Sequence, residues 1–343
     1  MTSPIPTDTP PAGKTGGGSD ARVRAGGVIA AILGVFVATG IVAYFNAGAV
    51  LKAIEPIGLP GFAAVIAAQL VLFVPLGVAW WVVAPRASGH PLVLIWARLM
   101  REAASDVLPF SQVGGIVISV RTAVLGGVTT PTAFGSAVID ITVEVVAQLL
   151  YTVVGIMLFI DHLGFGPAHQ RLLVSLIAGL VIAAGLVGGF IATQRRGINL
   201  AERAITRILP TAAQHTIAVS EVVDGAYARP GRLWACLALH LAAWFGGAVG
   251  AWLILLLIGH RLPFLSVVAI ESLLFAIRNA AFMIPGGLGV QEGAYALIGP
   301  LFGLPAEVTL ALSLLKRGRD LTVGIPALLS WQFVESRRRL RFK

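Results

Sequence analysis

Charged and amide side chains lie inside an apolar stretch at 264–302, where a membrane segment would normally exclude them. Glu271 and Arg278 are seven residues apart, so on a helix they share one face, with Asn279 beside them. Ionisable groups at membrane depth indicate function by default, and each needs a partner. Two interpretations fit. Arg278 binds a phosphate or another anionic headgroup while Glu271 holds it in place, or the two charges form an internal salt bridge.

A helix break follows in the same stretch. Proline lacks an amide donor and glycine allows positive φ, so the sequence predicts a hairpin turn formed by Pro285, Gly286, Gly287 and Gly289. A helix that begins near residue 290 would favour an anion at its free amides. Glu292 would lie in its first turn, either capping that helix or contacting a ligand, and Gln291 is a further headgroup candidate.

A second broken stretch spans 97–124 and carries Arg121. Its predicted turn residues are Pro109, Gly114 and Gly115. Irregular backbone in hydrocarbon is tolerated where protein or a water-filled cavity covers it. Interrupted segments at matching places in two halves of a chain indicate a binding site between transporter repeats. We therefore expect two re-entrant helical hairpins, and an inverted repeat fits their positions.

Each broken stretch precedes a helix with intramembrane charge. Asp140 and Glu144 are one turn apart on a stripe with Gln148. The two carboxylates could share a proton and support proton coupling, or they could pair with Arg121 or with arginines of the second half.

The corresponding charges of the second half lie at 316–320. Lys316 and Asp320 are one turn apart and are expected to pair locally. Arg317 and Arg319 point to different faces, so at least one must find another partner. We predict headgroup contacts for both arginines and a charge-balancing role for Asp320.

Composition restricts the class of protein. The 343 residues are 57% hydrophobic and 12% charged, which indicates an all-α polytopic membrane protein. The net charge of +9 comes from basic residues beside apolar spans, so we expect contact with anionic lipid and not with nucleic acid. No spacing typical of a metal site or of nucleophilic catalysis is present, so the sequence indicates neither a metal nor a cofactor and favours transport over enzymatic activity.

The apolar runs predict six membrane spans, at 26–45, 61–84, 134–160, 172–192, 233–258 and 304–334. Basic residues, among them Arg98 and Arg101, then fall on one side, which places both termini in the cytoplasm. Eight full spans would also do so. The predicted organisation is a disordered cytoplasmic tail at 1–25, a membrane domain at 26–334 and a basic cytoplasmic tail at 335–343. Within the membrane domain, 194–232 would form a cytoplasmic amphipathic connection.

Residues 270–321 include the pattern PGGLGVQEG and, in the next helix, the basic run SLLKRGRD. These motifs resemble the membrane region of the lysylphosphatidylglycerol synthase family of flippase-like proteins. LPFSQVGG with Arg121 resembles the weaker first motif of that family. Within that family, the chain most resembles the subgroup associated with hopanoid biosynthesis in bacteria. The similarity lies in the sequence PGGLGVQEG, the SLLKRGRD run and residues 326–332.

The resemblance implies a protein of the bacterial cytoplasmic membrane that moves a hopanoid or phospholipid between leaflets. Its partners would be membrane lipids, a second copy of the chain or lipid-biosynthesis proteins. An accessory or scaffold protein of a lipid-biosynthesis complex is the first alternative. A lipid-modifying transferase is the second, and the absence of a motif for an activated donor weighs against it.

Overall fold

The computed structural model of the protein describes residues 47–85, 89–107, 111–164, 167–208, 210–281 and 287–341. These residues form helices and turns without a β-strand, which confirms the all-α prediction. The predicted span at 26–45, the tail at 1–25, and three predicted turn residues (Pro109, Pro285 and Gly286) lie outside the described residues.

Eleven α-helices are described. They are α1 (Ala47–Ile54), α2 (Gly58–Val83), α3 (Pro91–Val107), α4 (Ser111–Leu125), α5 (Thr130–Leu163), α6 (Pro167–Ile208), α7 (Pro210–Tyr227), α8 (Pro230–Leu257), α9 (Phe264–Ala280), α10 (Val290–Ile298) and α11 (Ala306–Arg341). Short 3₁₀ turns cover Glu55–Ile57 and Gly299–Phe302.

Four of the described helices are long and apolar enough to cross a membrane: Gly48–Val83, Thr130–His162, Leu173–Thr193 and Pro230–Leu257. They coincide with four of the predicted spans. The predicted span at 304–334 overlaps α11, which begins at Ala306 and carries the charged run 316–320. None of the residues in the most apolar part of Leu173–Thr193 is buried, as expected for a helix that faces lipid. The chain is therefore a multi-pass membrane protein.

The order and lengths of the helices repeat along the chain. Helices α2 to α5 contain 26, 17, 15 and 34 residues. Helices α8 to α11 contain 28, 17, 9 and 36 residues, with the 3₁₀ turn extending α10 by four. The first half (α2–α5) and the second half (α8–α11) therefore each consist of a long helix, a pair of shorter helices and another long helix.

The first helices of the two halves run in opposite directions. Gly61 at the start of α2 packs on Leu257 at the end of α8, and Gly246 packs on Leu72. Because these contacts progress oppositely along the two helices, α2 and α8 are antiparallel. This is the orientation that an inverted repeat requires.

Each half packs its helix pair against the other half. Helix α3 packs on α11, and α9 packs on α5. Gly155 and Ser272 mark the second contact, where α5 and α9 approach closely. Within the first helix pair, Gly126 packs on Val93 and Gly115 on Arg101, so α3 and α4 form an antiparallel hairpin. The two hairpins therefore lie between the long helices of both halves.

Helices α6 and α7 join the halves. Helix α6 continues through Ile208, and α7 packs against α5 and α6. The last turn of α7 reaches the interior, where Val223 and Ala226 are buried beside residues of α2, α3, α5 and α8. The described connection is thus helical and partly packed into the bundle.

Candidate functional site

The second hairpin and α11 share a buried polar cluster formed by Glu271, Tyr295 and Lys316. Lys316 Nζ lies 2.5 Å from Glu271 Oε2 and 2.9 Å from the Tyr295 hydroxyl oxygen. The Tyr295 hydroxyl donates to Glu271 Oε1. All three side chains are buried, so the lysine and the carboxylate compensate each other's charge. Glu271 therefore pairs with Lys316, and the salt bridge to Arg278 offered by the sequence is not formed.

Glu292 caps the helix that carries it and also binds an arginine. Its Oε2 accepts a hydrogen bond from the amide of Gly289 at 2.8 Å, and Gly289 has φ of 79°. Its Oε1 accepts from Arg317 Nη2 at 2.9 Å and from the Ser313 hydroxyl at 3.2 Å. The side chain is fully buried, so capping and charge pairing together satisfy it.

Arg278 lies at the end of α9 with a fifth of its side chain exposed. Its Nη1 donates to Gln291 Oε1 at 3.0 Å, and the amide of Gln291 donates to the Ser313 hydroxyl at 2.9 Å. Asp106, at the end of α3, approaches Arg278 Nη2 to 3.9 Å. Gly287 has φ of 60°, and a Cβ atom placed on it would lie 3.1 Å from Arg278 Nε. The turn backbone therefore closely covers the guanidinium.

A small polar cleft opens between the two hairpins and α11. It is lined by Asp106, Arg278, Gln291, Arg317, Asp320 and Leu321. A second small cleft shares Asp106 and Asp320 and continues along α2, α3 and α11. The first cleft thus presents two guanidinium groups and two carboxylates where the two halves meet.

The other polar side chains in and beside the cleft form close hydrogen bonds. Asp320 accepts from Arg319 Nη2 at 2.7 Å, so it does not form the expected pair with Lys316. Asn279 donates to Gln148 Oε1 at 3.0 Å, which links α9 to the polar stripe of α5. Arg319 is largely buried, whereas Asn279 is exposed.

The first half contains a buried ion network between α3 and α5. Arg98 Nη1 donates to Glu144 Oε2 at 2.9 Å and to Asp140 Oδ2 at 3.3 Å. Arg101 Nη2 donates to Glu144 Oε2 at 2.8 Å. Arg98 Nη2 also contacts Glu102 Oε1 at 2.8 Å. Asp140 and Glu144 therefore pair with arginines of their own half, and not with Arg121 or the arginines of α11.

Helix α8 contributes to this network from the other half. His240 Nε2 lies 3.0 Å from Asp140 Oδ1, and both side chains are buried. Cys236 lies one turn before His240 and is also buried. The sulfur of Cys236, a ring nitrogen of His240 and a carboxylate oxygen of Asp140 all lie within 4.8 Å of one another.

Residues of the first hairpin's second helix lie away from the cleft. Arg121 is 44% exposed and forms two hydrogen bonds with Glu335, at 3.1 and 3.0 Å. Gly115 is buried against Arg101 and Ser105, which matches a close helix approach. Gly114 faces open space. Both glycines belong to helix α4, so the structure places them in a helix and not in a turn.

Sequence reasoning missed Arg98, Asp106, His240 and Tyr295 as members of these clusters. It counted Arg98 among the basic residues at the membrane surface, but only 2% of that side chain is exposed. The spacing of Arg98 and Glu102, i and i+4 on a polar face, was the available signal. His240 stands alone among apolar neighbours, and no spacing pattern identifies Tyr295 as a partner of Glu271.

No curated protein and no solved structure shows significant similarity to the chain. The sequence model of the family described as the lysylphosphatidylglycerol synthase TM region matches residues 28–327, and the chain therefore belongs to this family.

Proposed function

We propose that the protein moves phospholipids between the leaflets of the bacterial cytoplasmic membrane and binds the headgroup phosphate in the cleft between its hairpins. The observation that carries the proposal is the position of Arg278. It lines the cleft, remains partly exposed, and has its nearest described carboxylate, that of Asp106, at 3.9 Å. The positive charge of the Arg278 guanidinium is thus incompletely compensated by the carboxylate of Asp106.

Guanidinium chemistry supports a phosphate ligand. Arginine presents five donors in a planar fork that matches two oxygens of a phosphate. Arg278 uses Nη1 for Gln291, a neutral acceptor, and Gln291 is fixed by Ser313. Arg317, whose side chain is also a fifth exposed, adds a second cation from α11. Asp106 and Asp320 would release or restrain the headgroup as the hairpins move.

Re-entrant hairpins fit the helix lengths. At 1.5 Å per residue, α3, α4 and α9 measure roughly 22–26 Å and α10 roughly 14 Å, all less than the hydrocarbon thickness of about 30 Å. The antiparallel relation of α2 and α8 supports hairpins that enter from opposite sides. Alternating access then follows from movement of one half against the other around a cleft near the middle of the bilayer. In this arrangement both termini face the cytoplasm.

Three alternatives make different predictions. A hopanoid substrate would be moved without dependence on Arg278, because its ring system offers no phosphate. An accessory or scaffold protein of a lipid-biosynthesis complex would move no lipid. A lipid-modifying transferase would change the chemical composition of the lipids it meets.

The test is reconstitution of the full chain in liposomes that contain labelled phospholipid, with leaflet exchange followed by accessibility to a membrane-impermeant quencher. We expect wild-type exchange above protein-free liposomes. Arg278→Gln should lower it at least about tenfold, the equivalent of one lost ionic hydrogen bond of about 1.5 kcal/mol or more. Arg261→Gln is the matched control, because Arg261 is exposed on the loop between α8 and α9.

Three results would overturn the proposal. Equal exchange by wild type and Arg278→Gln, at equal thermal stability, would remove the headgroup role of Arg278. Wild-type exchange no faster than protein-free liposomes with phospholipid, but faster with a labelled hopanoid, would assign the other substrate. No exchange with either lipid would favour the scaffold interpretation.

A further inference from the structure

The Cys236–His240–Asp140 group lies apart from the lipid cleft and offers three donor atoms of different chemistry. Helix α8 places the thiol and the imidazole on one face, one turn apart, and α5 supplies the carboxylate. At most 1% of each side chain is exposed. A thiol, an imidazole and a carboxylate gathered by two helices form a ligand set that zinc sites commonly use.

The spacing of these donors is close to that of a tetrahedral site. Metal–ligand distances of about 2.0–2.3 Å place neighbouring ligand atoms roughly 3.3–3.7 Å apart. His240 Nε2 and Asp140 Oδ1 are already 3.0 Å apart, and the donor atoms of the whole group lie within 4.8 Å of one another. Movements of these side chains by about 1 Å would bring the three donor atoms to the distances of a tetrahedral site. The carboxylate, a hard ligand, favours Zn²⁺ over Cu(I).

The surroundings support an ion there. Asp140 Oδ2 is held by Arg98 at 3.3 Å and lies 3.5 Å from Arg101, which leaves Oδ1 directed at His240. His240 Nδ1 is buried without a hydrogen-bond partner among the described residues. With zinc bound, Nε2, which faces Asp140 Oδ1, gives its lone pair to the ion, and the ring proton then lies on Nδ1.

Charge balance supports a divalent cation. The charged side chains of the network are two guanidinium groups and three carboxylates, which sum to −1, namely Arg98, Arg101, Glu102, Asp140 and Glu144. A zinc-bound Cys236 is a thiolate and brings the sum to −2. A Zn²⁺ ion returns the buried network to neutrality. From this geometry and charge we infer that Asp140, Cys236 and His240 bind one zinc ion, with a fourth position open.

Such an ion would join the two halves, since Asp140 belongs to the first and the two other ligands to the second. It would also fix the first hairpin, because Asp140 binds Arg98 and Arg101 of α3. The site is structural in this sense and is independent of the lipid cleft.

The test is metal analysis of the full-length wild-type chain, purified with a histidine-free affinity tag and equilibrated with buffered zinc. We expect one zinc ion per chain, and after exchange for Co²⁺ a cobalt–thiolate absorption band. Cys236→Ser should lose the band, and both Cys236→Ser and His240→Gln should lose most of the zinc. His260→Gln, on the loop after α8, should retain it.

Zinc well below one ion per chain in the folded wild type would overturn the inference, and this result does not depend on any variant folding. A cobalt spectrum without a thiolate band, or zinc retained in Cys236→Ser, would also overturn it. Because metal content is measured without lipid movement, a negative result here leaves the proposed translocation to be judged by its own experiment.

Discussion

The buried pair of Lys316 and Glu271 allows a quantitative test of what holds the second half together. Replacing Lys316 with methionine keeps an unbranched side chain that is one heavy atom shorter and removes the charge. The carboxylate of Glu271 would then remain 1% exposed with the Tyr295 hydroxyl as its described donor. Breaking a buried ion pair in this way costs about 3–5 kcal/mol. Because the Tyr295 hydroxyl still donates to this carboxylate, the expected loss in the free energy of unfolding is near the lower value, about 3 kcal/mol.

A loss of about 3 kcal/mol corresponds to a folding equilibrium shifted roughly 100-fold. Glu271→Gln should cost a similar amount, because it strands the ammonium of Lys316, which is 6% exposed. The double variant Glu271→Gln with Lys316→Met removes both charges. It should return to within about 1 kcal/mol of wild type, since exchanging a whole buried pair for neutral groups is close to neutral.

The assay is equilibrium unfolding of the purified protein in mixed detergent micelles. The control is Arg121→Gln, which breaks the Arg121–Glu335 pair. Arg121 is 44% exposed, so its loss should cost no more than about 1 kcal/mol. If Lys316→Met were no more destabilising than Arg121→Gln, or if the double variant were as unstable as the single ones, the pair would not act as a compensated buried charge.

Two further predictions concern the turn and the topology. Gly287→Ala should destabilise the protein by about 1 kcal/mol and slow phospholipid exchange. The reason is that residue 287 has positive φ and that a Cβ atom there would lie 3.1 Å from Arg278 Nε. A Gly287→Ala protein with the stability and exchange rate of the wild type would contradict this backbone conformation. Ser336→Cys should react with an impermeant maleimide from the cytoplasmic side alone, because the proposed topology places the end of α11 there. The natural cysteine, Cys236, is buried, so labelling reports on residue 336. Labelling from the outside would reverse the topology and the direction of both hairpins.

Local patterns in the sequence predicted the apolar membrane helices of the described chain. Apolar runs long enough to span a bilayer correspond to the four membrane helices of the described chain. The polar residues at 271, 278 and 291–292 were recognised because charge and amide groups are costly in apolar surroundings.

The partners of these residues could not be predicted, because they lie far away along the chain. Lys316 is four residues from Asp320, and spacing favours that pair, yet its partner Glu271 is 45 residues away. Arg121 and Glu335 are separated by 214 residues. Arg98 follows the end of an apolar run and therefore resembled a surface cation. Its burial depends on α3 folding back into the bundle, which only the tertiary arrangement determines.

The packing of each half's helix pair against the other half has a consequence for biosynthesis. The ion pairs of α3 with α5, and of α9 with α11, form within one half, whereas the apolar faces of α3 and α9 are covered by the other half. As the ribosome delivers the chain, each half can neutralise its own charges soon after insertion. The first hairpin must nevertheless wait until α11 has been synthesised before its apolar face is covered. Packing of the first half is therefore completed only after the second half has been inserted.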